Sequence, residues 1–160
     1  SKWMGAPGKE VWLWRSPNSG GAATMNKCYE NTSGDLVAIN DKALLLLNLY
    51  SIEIKTGYSD TCIDKCLKDN KNENLKDFWI QCCNDASKAN KMPLLIYNRS
   101  GSLPKNMWIG FCNDGIELLS KLKDLVCISI KFDKKYQLPN LNLFNFQEFL
   151  DTITIEDFKK

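Results

Sequence analysis

The sequence predicts an α/β domain, with a central mixed β-sheet flanked by helices. The chain has 160 residues, of which 44% are hydrophobic and 25% are charged, and these values are ordinary for one soluble globular domain. Apolar residues recur at three- and four-residue steps over residues 73–90, which is the pattern of a helix with one buried face. Short apolar segments with strand character lie before and after this helix, and their alternation with helices indicates a helix-covered sheet.

The first predicted strand covers residues 35–39, directly after Gly34, and ends at a turn signal over residues 40–42. The apolar segment 43–55 is predicted to form one or two further strand segments that pair with the first strand as a hairpin. The later elements are, in chain order, a short helix over 60–69, the amphipathic helix over 73–90, antiparallel strands over 94–97 and 107–112, a helix over 114–123, a strand over 126–132 and a helix over 146–150.

No internal repeat and no linker divides the chain, so one domain over residues 1–160 is expected. Residues 1–34 are rich in Gly, Pro, Ser and Asn and are predicted to form a loop-rich N-terminal segment. Residues 35–132 contain most of the predicted strands and helices, and we assign them to the core. Residues 133–160 are predicted to form a C-terminal tail.

The overall charge of the chain is only mildly basic. The formal net charge is +2 and the isoelectric point is about 8.1. Because a strongly basic nucleic-acid-binding domain usually has an isoelectric point above about 9, bulk charge neither indicates nor excludes DNA as a partner. No apolar run reaches the roughly eighteen residues of a membrane-spanning helix, so no membrane association is expected.

The chain has seven cysteines and no histidine. Structural zinc sites need four convergent ligands, usually from paired short spacings such as Cys-x-x-Cys. This chain has no Cys-x-x-Cys pair, and we predict no zinc. Reduced, mostly buried thiols in a cytoplasmic or nuclear setting are the favoured interpretation. The lack of histidine removes the usual general base and the Ser-His and Cys-His nucleophile pairs, so catalysis would rely on carboxylates, lysine and a metal ion.

Three charged residues of the predicted hairpin indicate a metal-dependent active site. Side chains two residues apart in a strand point to the same face of a sheet, so Glu53 and Lys55 are expected side by side. Asp35 begins the paired strand and is expected to lie close to Glu53. Two carboxylates can hold a Mg²⁺ ion, with the main-chain carbonyl of Ile54 as a further oxygen ligand. Lys55 can orient the attacking water and stabilise charge on a phosphate.

The Glu-x-Lys pattern is short, and a chain of this length contains roughly half an instance by chance. A surface ion pair on a half-exposed sheet is therefore an alternative reading of Glu53 and Lys55. The context favours the metal site, because the tripeptide ends an apolar strand and follows Gly34 and Asp35 by a hairpin-sized gap.

Three segments resemble the PD-(D/E)XK nuclease superfamily, in particular Holliday junction resolvases and related phage restriction-like endonucleases. They are RSPNSGG at residues 15–21, SGDLVA at 33–38 and SIEIKT at 51–56. The third is similar to the (D/E)-x-K signature, and the second to the upstream acidic motif. The resemblance implies a restriction-endonuclease-like fold and hydrolysis of DNA that depends on Mg²⁺ or Mn²⁺. It also implies a homodimer, since cutting two strands needs two sites.

The resemblance implies roles for individual residues. Asp35 and Glu53 would bind the metal, Lys55 would be the catalytic lysine, and Gln81 would be an auxiliary residue near the metal or the phosphate. A helix-surface glutamine with no such role is the alternative for Gln81. Many members also carry a carboxylate before the first motif, and only Glu10 is available here. This chain departs from the family pattern at that point, because only nine residues precede Glu10, two of them glycine and one proline.

Further residues are candidates for contact with the phosphates of DNA. Glycines let a backbone approach a phosphate closely, hydroxyl groups donate hydrogen bonds, and basic side chains supply charge. The candidates are Arg15, Ser16, Ser19, Gly20, Gly21, Lys88 and Arg99. A plain surface turn at residues 16–21 and a solvated face for the basic residues are the alternatives.

Two other function classes compete with a nuclease. The fold can serve as a catalytically silent nucleic-acid-binding or assembly module, although the Asp35, Glu53 and Lys55 set disfavours this. Alternatively, the Glu-x-Lys is a coincidence in an α/β domain unrelated to nucleic acids. That class predicts that Asp35 and Glu53 lie far apart.

Overall fold

The computed structural model describes residues 13–16, 34–58, 73–99, 106–112 and 116–158. The helices are α1 (Asp41–Leu49), α2 (Glu73–Lys88), α3 (Ile116–Lys121) and α4 (Phe146–Thr152). The strands are β1 (Leu13–Arg15), β2 (Leu36–Ala38), β3 (Tyr50–Tyr58), β4 (Met92–Arg99), β5 (Trp108–Phe111), β6 (Ile128–Ile130) and β7 (Leu141–Asn145). Short 3-10 turns occupy Lys134–Tyr136 and Ile155–Phe158.

The main sheet is mixed, with the strand order β3-β4-β5-β7-β6. The β3–β4 pair is parallel and the other pairs are antiparallel. A separate two-stranded antiparallel sheet joins β1 to β2. The predicted fold class, a mixed sheet flanked by helices, is confirmed.

Helices cover both faces of the main sheet. On one face, the buried stripe of α2 (Leu75, Phe78, Trp79, Cys82) packs on alternate strand residues such as Leu95 and Tyr97. On the other face, α1, α3 and α4 pack on the intervening residues, which include Ile52, Leu94 and Ile96. Because Ile52 and Ile54 belong to this second face, strand alternation places Glu53 and Lys55 on the α2 face.

The prediction of strand over residues 43–49 is wrong, because these residues form most of α1. The Asn40 side chain caps the helix by accepting a hydrogen bond from the Lys42 N–H at 2.9 Å. Ala and Leu, which fill the segment, are among the strongest helix formers. The chain passes from α1 directly into β3 at Tyr50, so no hairpin joins β2 to β3.

The division between a core ending at residue 132 and a C-terminal tail is also contradicted. Strand β7 lies between β5 and β6 inside the main sheet, and Leu141 and Leu143 are completely buried. Both faces of β7 are covered, so its residues do not show the alternation of a half-exposed strand. The segment 141–158 is therefore part of the core.

Most of the remaining element predictions are confirmed. The amphipathic helix is α2, the antiparallel pair is β4 and β5, and the later segments are α3, β6 and α4. The predicted helix over residues 60–69 lies outside the described residues. Within the described ranges, no helix has the length and apolar character needed to cross a bilayer.

Candidate metal centre

Strand β3 carries a buried carboxylate and an ammonium group side by side. Glu53 is only 6% exposed, and its Oε1 atom lies 2.6 Å from the Lys55 Nζ atom. The Lys55 side chain is 16% exposed, so this ion pair is largely withdrawn from solvent. This burial excludes the alternative reading of Glu53 and Lys55 as a surface ion pair on a half-exposed sheet.

Helix α2 completes a closed ring of contacts around this pair. The Gln81 side chain donates from Nε2 to Glu53 Oε1 at 3.0 Å and accepts from Lys55 Nζ at its own Oε1, also at 3.0 Å. One turn earlier, Phe78 places its ring centroid 5.5 Å from Lys55 Nζ, a cation–π contact. Since α2 is held to the sheet by its buried stripe, Gln81 and Phe78 have a fixed position relative to β3.

Asp35 reaches the site through a contact at the edge of the main sheet. Gly34 forms a parallel bridge with Ile52, and the Asp35 N–H donates to the Ile52 carbonyl at 2.7 Å. The Asp35 carboxylate then accepts the N–H of Ile54 at Oδ2, at 2.8 Å. The predicted approach of Asp35 to the Glu53 strand is thus observed, although a parallel bridge rather than a hairpin produces it.

Gly34 is the residue that makes this close approach feasible. Its φ angle is +95°, in the left-handed region that glycine adopts readily. A Cβ atom at this position would lie 2.4 Å from the Ile52 carbonyl oxygen and 2.8 Å from the Ile52 nitrogen. Any other residue type would therefore push the loop, and Asp35 with it, away from β3.

Burial raises the pKa of Glu53 above its ordinary value, and desolvation is the largest cause. The nearby Asp35 and Asp85 carboxylates raise this pKa further, while Lys55 lowers it through its hydrogen bond and its charge. Two carboxylates in the site face one ammonium group, so the site is short of positive charge. A divalent cation would supply that charge.

The donor atoms of the site fit a hard divalent cation. Carboxylate and carbonyl oxygens are the ligands that Mg²⁺ and Mn²⁺ prefer. Within a strand residue, the N–H and the carbonyl point to the same side, so the Ile54 carbonyl faces the edge where its N–H meets Asp35. Within the described ranges, no three acidic, thiol or imidazole side chains are placed to hold a metal ion together. The protein would supply two carboxylates and one carbonyl, which leaves positions for water and a phosphate.

The whole chain, residues 1–160, matches the family described as "Phage putative PDDEXK endonuclease". The chain belongs to this endonuclease family. The match confirms membership of the PD-(D/E)XK superfamily, and it covers the Glu-x-Lys of residues 53–55 and the upstream Gly34-Asp35. No match was found among curated proteins or among solved structures.

Of the side chains predicted to contact phosphates, the structure describes those of Ser16 and Lys88. Ser16 is 2% exposed, and its N–H donates to the Asp35 carbonyl at 2.7 Å. This backbone hydrogen bond supports the Asp35 loop, and the predicted phosphate contact of Ser16 stays a prediction. Lys88 is exposed and pairs with Asp85 at 3.1 Å on the last turn of α2. The other predicted residues lie outside what the structure describes. They are Glu10, Ser19, Gly20, Gly21 and the side chains of Arg15 and Arg99.

Phe78 and Asp85, to which the sequence pattern assigned no catalytic role, contribute to the candidate site, and Gly34 does more there than precede a strand. Phe78 lies against Lys55, Gly34 allows the approach of Asp35, and Asp85 raises the pKa of Glu53. The spacing of Phe78, Gln81 and Asp85 along α2 places them on one flank of the helix. That spacing was visible in the sequence, whereas the positive φ of Gly34 was not.

Proposed function

We propose that this protein is a divalent-metal-dependent endonuclease that hydrolyses phosphodiester bonds of DNA. The observation that carries the proposal is the Asp35 carboxylate, anchored on the Ile54 N–H beside the buried Glu53–Lys55 pair. Family membership supports the same reaction class. Mg²⁺ is the proposed ion, with Mn²⁺ as a substitute of similar ligand preference.

Asp35, Glu53 and the carbonyl of Ile54 are the proposed ligands of the ion. Glu53 uses Oε1 to accept hydrogen bonds from Gln81 and to pair with Lys55, which leaves Oε2 for coordination. Asp35 uses Oδ2 to accept the Ile54 N–H, which leaves Oδ1. When bound, the ion neutralises charge on the phosphate and activates the attacking water.

Lys55 is the proposed catalytic lysine. Its ammonium group has three N–H donors, and contacts with Glu53 and Gln81 occupy two of them. The third donor can bind a non-bridging oxygen of the phosphate or the attacking water. Because Glu53 and Phe78 beside it are buried, a hydrogen bond from this ammonium stabilises charge more strongly than it would in water.

Gln81 is the proposed positioning residue of the site. Its amide bonds to both members of the ion pair and fixes the distance between the lysine and the carboxylate. Because the amide carries no charge, it holds Lys55 in place without adding to the repulsion between Glu53 and Asp35.

We propose branched DNA as the first substrate to test, because the sequence resembles Holliday junction resolvases. A homodimer would supply one site for each of the two strands. The preference among four-way junctions, flaps and duplex DNA is then a matter for direct assay.

The test is a cleavage assay with four DNA substrates: plasmid, single strand, flap and four-way junction. Each is incubated with Mg²⁺, Mn²⁺ or EDTA. We expect cutting with either ion and none in EDTA. Asp35→Asn should abolish cutting, whereas Asp124→Asn, at an exposed position after α3, should not. Equal cutting by Asp35→Asn and the wild type would refute the assignment, and binding without cutting of any substrate would favour the silent module.

A further inference from the structure

A second cluster of charged and aromatic side chains lies on the other flank of α2. Lys76, near the start of α2, places its Nζ atom 4.9 Å from the ring centroid of Tyr136. Lys135, on the 3-10 turn, places its Nζ atom 4.8 Å from the same centroid. The two ammonium groups therefore lie within about 10 Å of each other, close to the Debye length of about 8 Å at physiological salt, and their fields add.

The turn that carries this cluster is held in a defined conformation. Asp133 caps it by accepting the Lys135 N–H at Oδ1, at 3.0 Å. The Tyr136 N–H donates to the Asp133 carbonyl at 3.0 Å. Just after the turn, the buried Trp79 of α2 donates from its indole N–H to the Pro139 carbonyl at 2.9 Å. The turn is thus tied to α2, and the cluster is assembled before any partner arrives.

Positive charge in this cluster is only partly neutralised. Lys134 and Lys135 are exposed, and the one carboxylate in contact is Asp133, 3.6 Å from Lys135 Nζ. Among the side chains that the structure describes, no carboxylate lies within 4.0 Å of the Lys76 or Lys134 ammonium. Tyr136 is 38% exposed, so an aromatic ring is accessible between the cations. We call Lys76, Lys134, Lys135 and Tyr136 the lysine–tyrosine patch.

Helix α2 separates the patch from the metal centre. Gln81 contacts β3 from one flank of α2, and Lys76 contacts the turn from the other flank. A helix with its side chains is about 10–12 Å across. The patch adjoins the turn after β6, and β3 and β6 are the two outer strands of the main sheet, so the patch and the metal centre are separate surfaces.

We propose that the lysine–tyrosine patch binds the sugar–phosphate backbone of the substrate on the far side of α2 from the bond that is cut. The proposal rests on the nuclease function proposed above and extends it to a second contact surface. Lys76, Lys134 and Lys135 bind phosphates, and the Tyr136 ring holds the ammonium groups of Lys76 and Lys135 close together through its cation–π contacts. The patch sets affinity and leaves the chemical step to the metal centre.

The first test measures binding to fluorescent duplex DNA by anisotropy, in EDTA and over a range of salt concentrations. All proteins carry Glu53→Gln, so DNA stays intact. The variant Lys76→Gln/Lys135→Gln should bind at least about tenfold more weakly at 0.1 M salt. The slope of log K against log salt should fall by about 1.8, at about 0.9 per phosphate contact. The control Lys42→Gln/Lys123→Gln makes the same charge change on the opposite layer of the fold and should match the parent.

A second variant should change the affinity for DNA in the opposite direction. Asp133→Asn removes the carboxylate beside Lys135 and keeps a side-chain oxygen for the cap. It should bind DNA more tightly than the parent. Equal affinity and equal salt slopes for the Lys76/Lys135 double variant and the Lys42/Lys123 double variant would overturn the proposal. So would weaker binding by Asp133→Asn in a protein whose melting temperature is unchanged.

Cleavage kinetics separate the patch from the metal centre. In the otherwise wild-type enzyme, Lys76→Gln/Lys135→Gln should raise KM for duplex DNA and leave kcat unchanged. It should also leave the hydrolysis of a dinucleotide-sized phosphodiester unchanged, because that substrate is too short to reach the patch. If the wild type cuts nothing, the nuclease proposal fails, while the binding measurements in EDTA still decide the patch.

Discussion

Replacement of Gly34 by alanine should disable the metal centre, even though the added methyl group would not contact the substrate directly. The added Cβ atom would lie 2.4 Å from the Ile52 carbonyl oxygen, whereas ordinary contacts of this kind begin near 3.4 Å. The loop must therefore move by about 1 Å, and Asp35 moves with it. A misplacement of this size can reduce the rate of an enzyme about 100-fold, so we expect a loss of that order in kcat/KM.

Gly57 offers a matched control for the backbone strain of this substitution. Its φ angle is +89°, close to the +95° of Gly34, but a Cβ atom there would meet no atom within 4 Å. Both alanine variants therefore share a conformational cost of about 1–2 kcal/mol. Gly34→Ala alone also strains the Asp35–Ile52 and Asp35–Ile54 hydrogen bonds, each worth about 1 kcal/mol.

The assay compares three quantities in the wild type and the two variants: cleavage rate, Mn²⁺ affinity by calorimetry and melting temperature. Gly57→Ala should lose stability but stay within about threefold of wild-type activity. Gly34→Ala should lose both metal affinity and activity. If Gly34→Ala binds Mn²⁺ and cuts DNA as well as Gly57→Ala does, Gly34 does not position Asp35.

Three further outcomes are expected at the metal centre. Lys55→Met removes the ammonium and should lower kcat at least about 100-fold while Mn²⁺ binding by calorimetry persists; loss of that binding would instead make Lys55 a structural support. Gln81→Ala breaks two hydrogen bonds to charged groups and should lower kcat about tenfold, whereas Asn84→Ala, exposed on the same helix, should have no effect. Burial raises the pKa of Glu53, so the folded protein holds its proton more tightly than the unfolded chain and, in EDTA, should lose stability as the pH rises from about 4.5 through the raised pKa. Glu53→Gln should remove that loss, and a wild-type-minus-variant difference in melting temperature that stays constant from pH 4 to pH 8 would contradict the linkage.

The fold class could be predicted because its strongest signals are local. The apolar stripe of α2 repeats over four turns, so its period could not be mistaken for that of a strand. The pair β4 and β5 was visible as two short apolar runs on either side of a turn segment. Both signals depend on neighbouring residues alone, and the structure confirms them.

The predictions failed for two elements in which most positions are apolar or buried. Residues 43–49 contain five leucines and one alanine and lack a clear period, so helix and strand looked alike. Asn40 caps the helix, but an Asn-Asp pair at this place in a sequence is equally typical of a turn. Strand β7 is buried on both faces, with Asn142 satisfied by a 3.3 Å hydrogen bond to the Phe111 carbonyl. Only the tertiary structure reveals such a partner.

Strand geometry alone predicts one part of the candidate site but not the rest. Alternation alone placed Glu53 and Lys55 on one face of β3, and the structure agrees. The approach of Asp35 depends on a long-range bridge through Gly34, which no local pattern encodes. The position of Gln81 became apparent only from family resemblance, because its two partners lie 26 and 28 residues away along the chain.

The contact between Asp35 and β3 also affects how the protein behaves in solution. Strand β3 is an outer strand of the main sheet, and outer strands can pair with other chains when their N–H and carbonyl groups are open. Asp35 occupies two of these groups, the Ile52 carbonyl and the Ile54 N–H. Truncation to Asp35→Ala would uncover the Ile54 N–H and invite self-association. Asp35→Asn keeps an acceptor oxygen there, so it should yield an inactive protein that stays soluble.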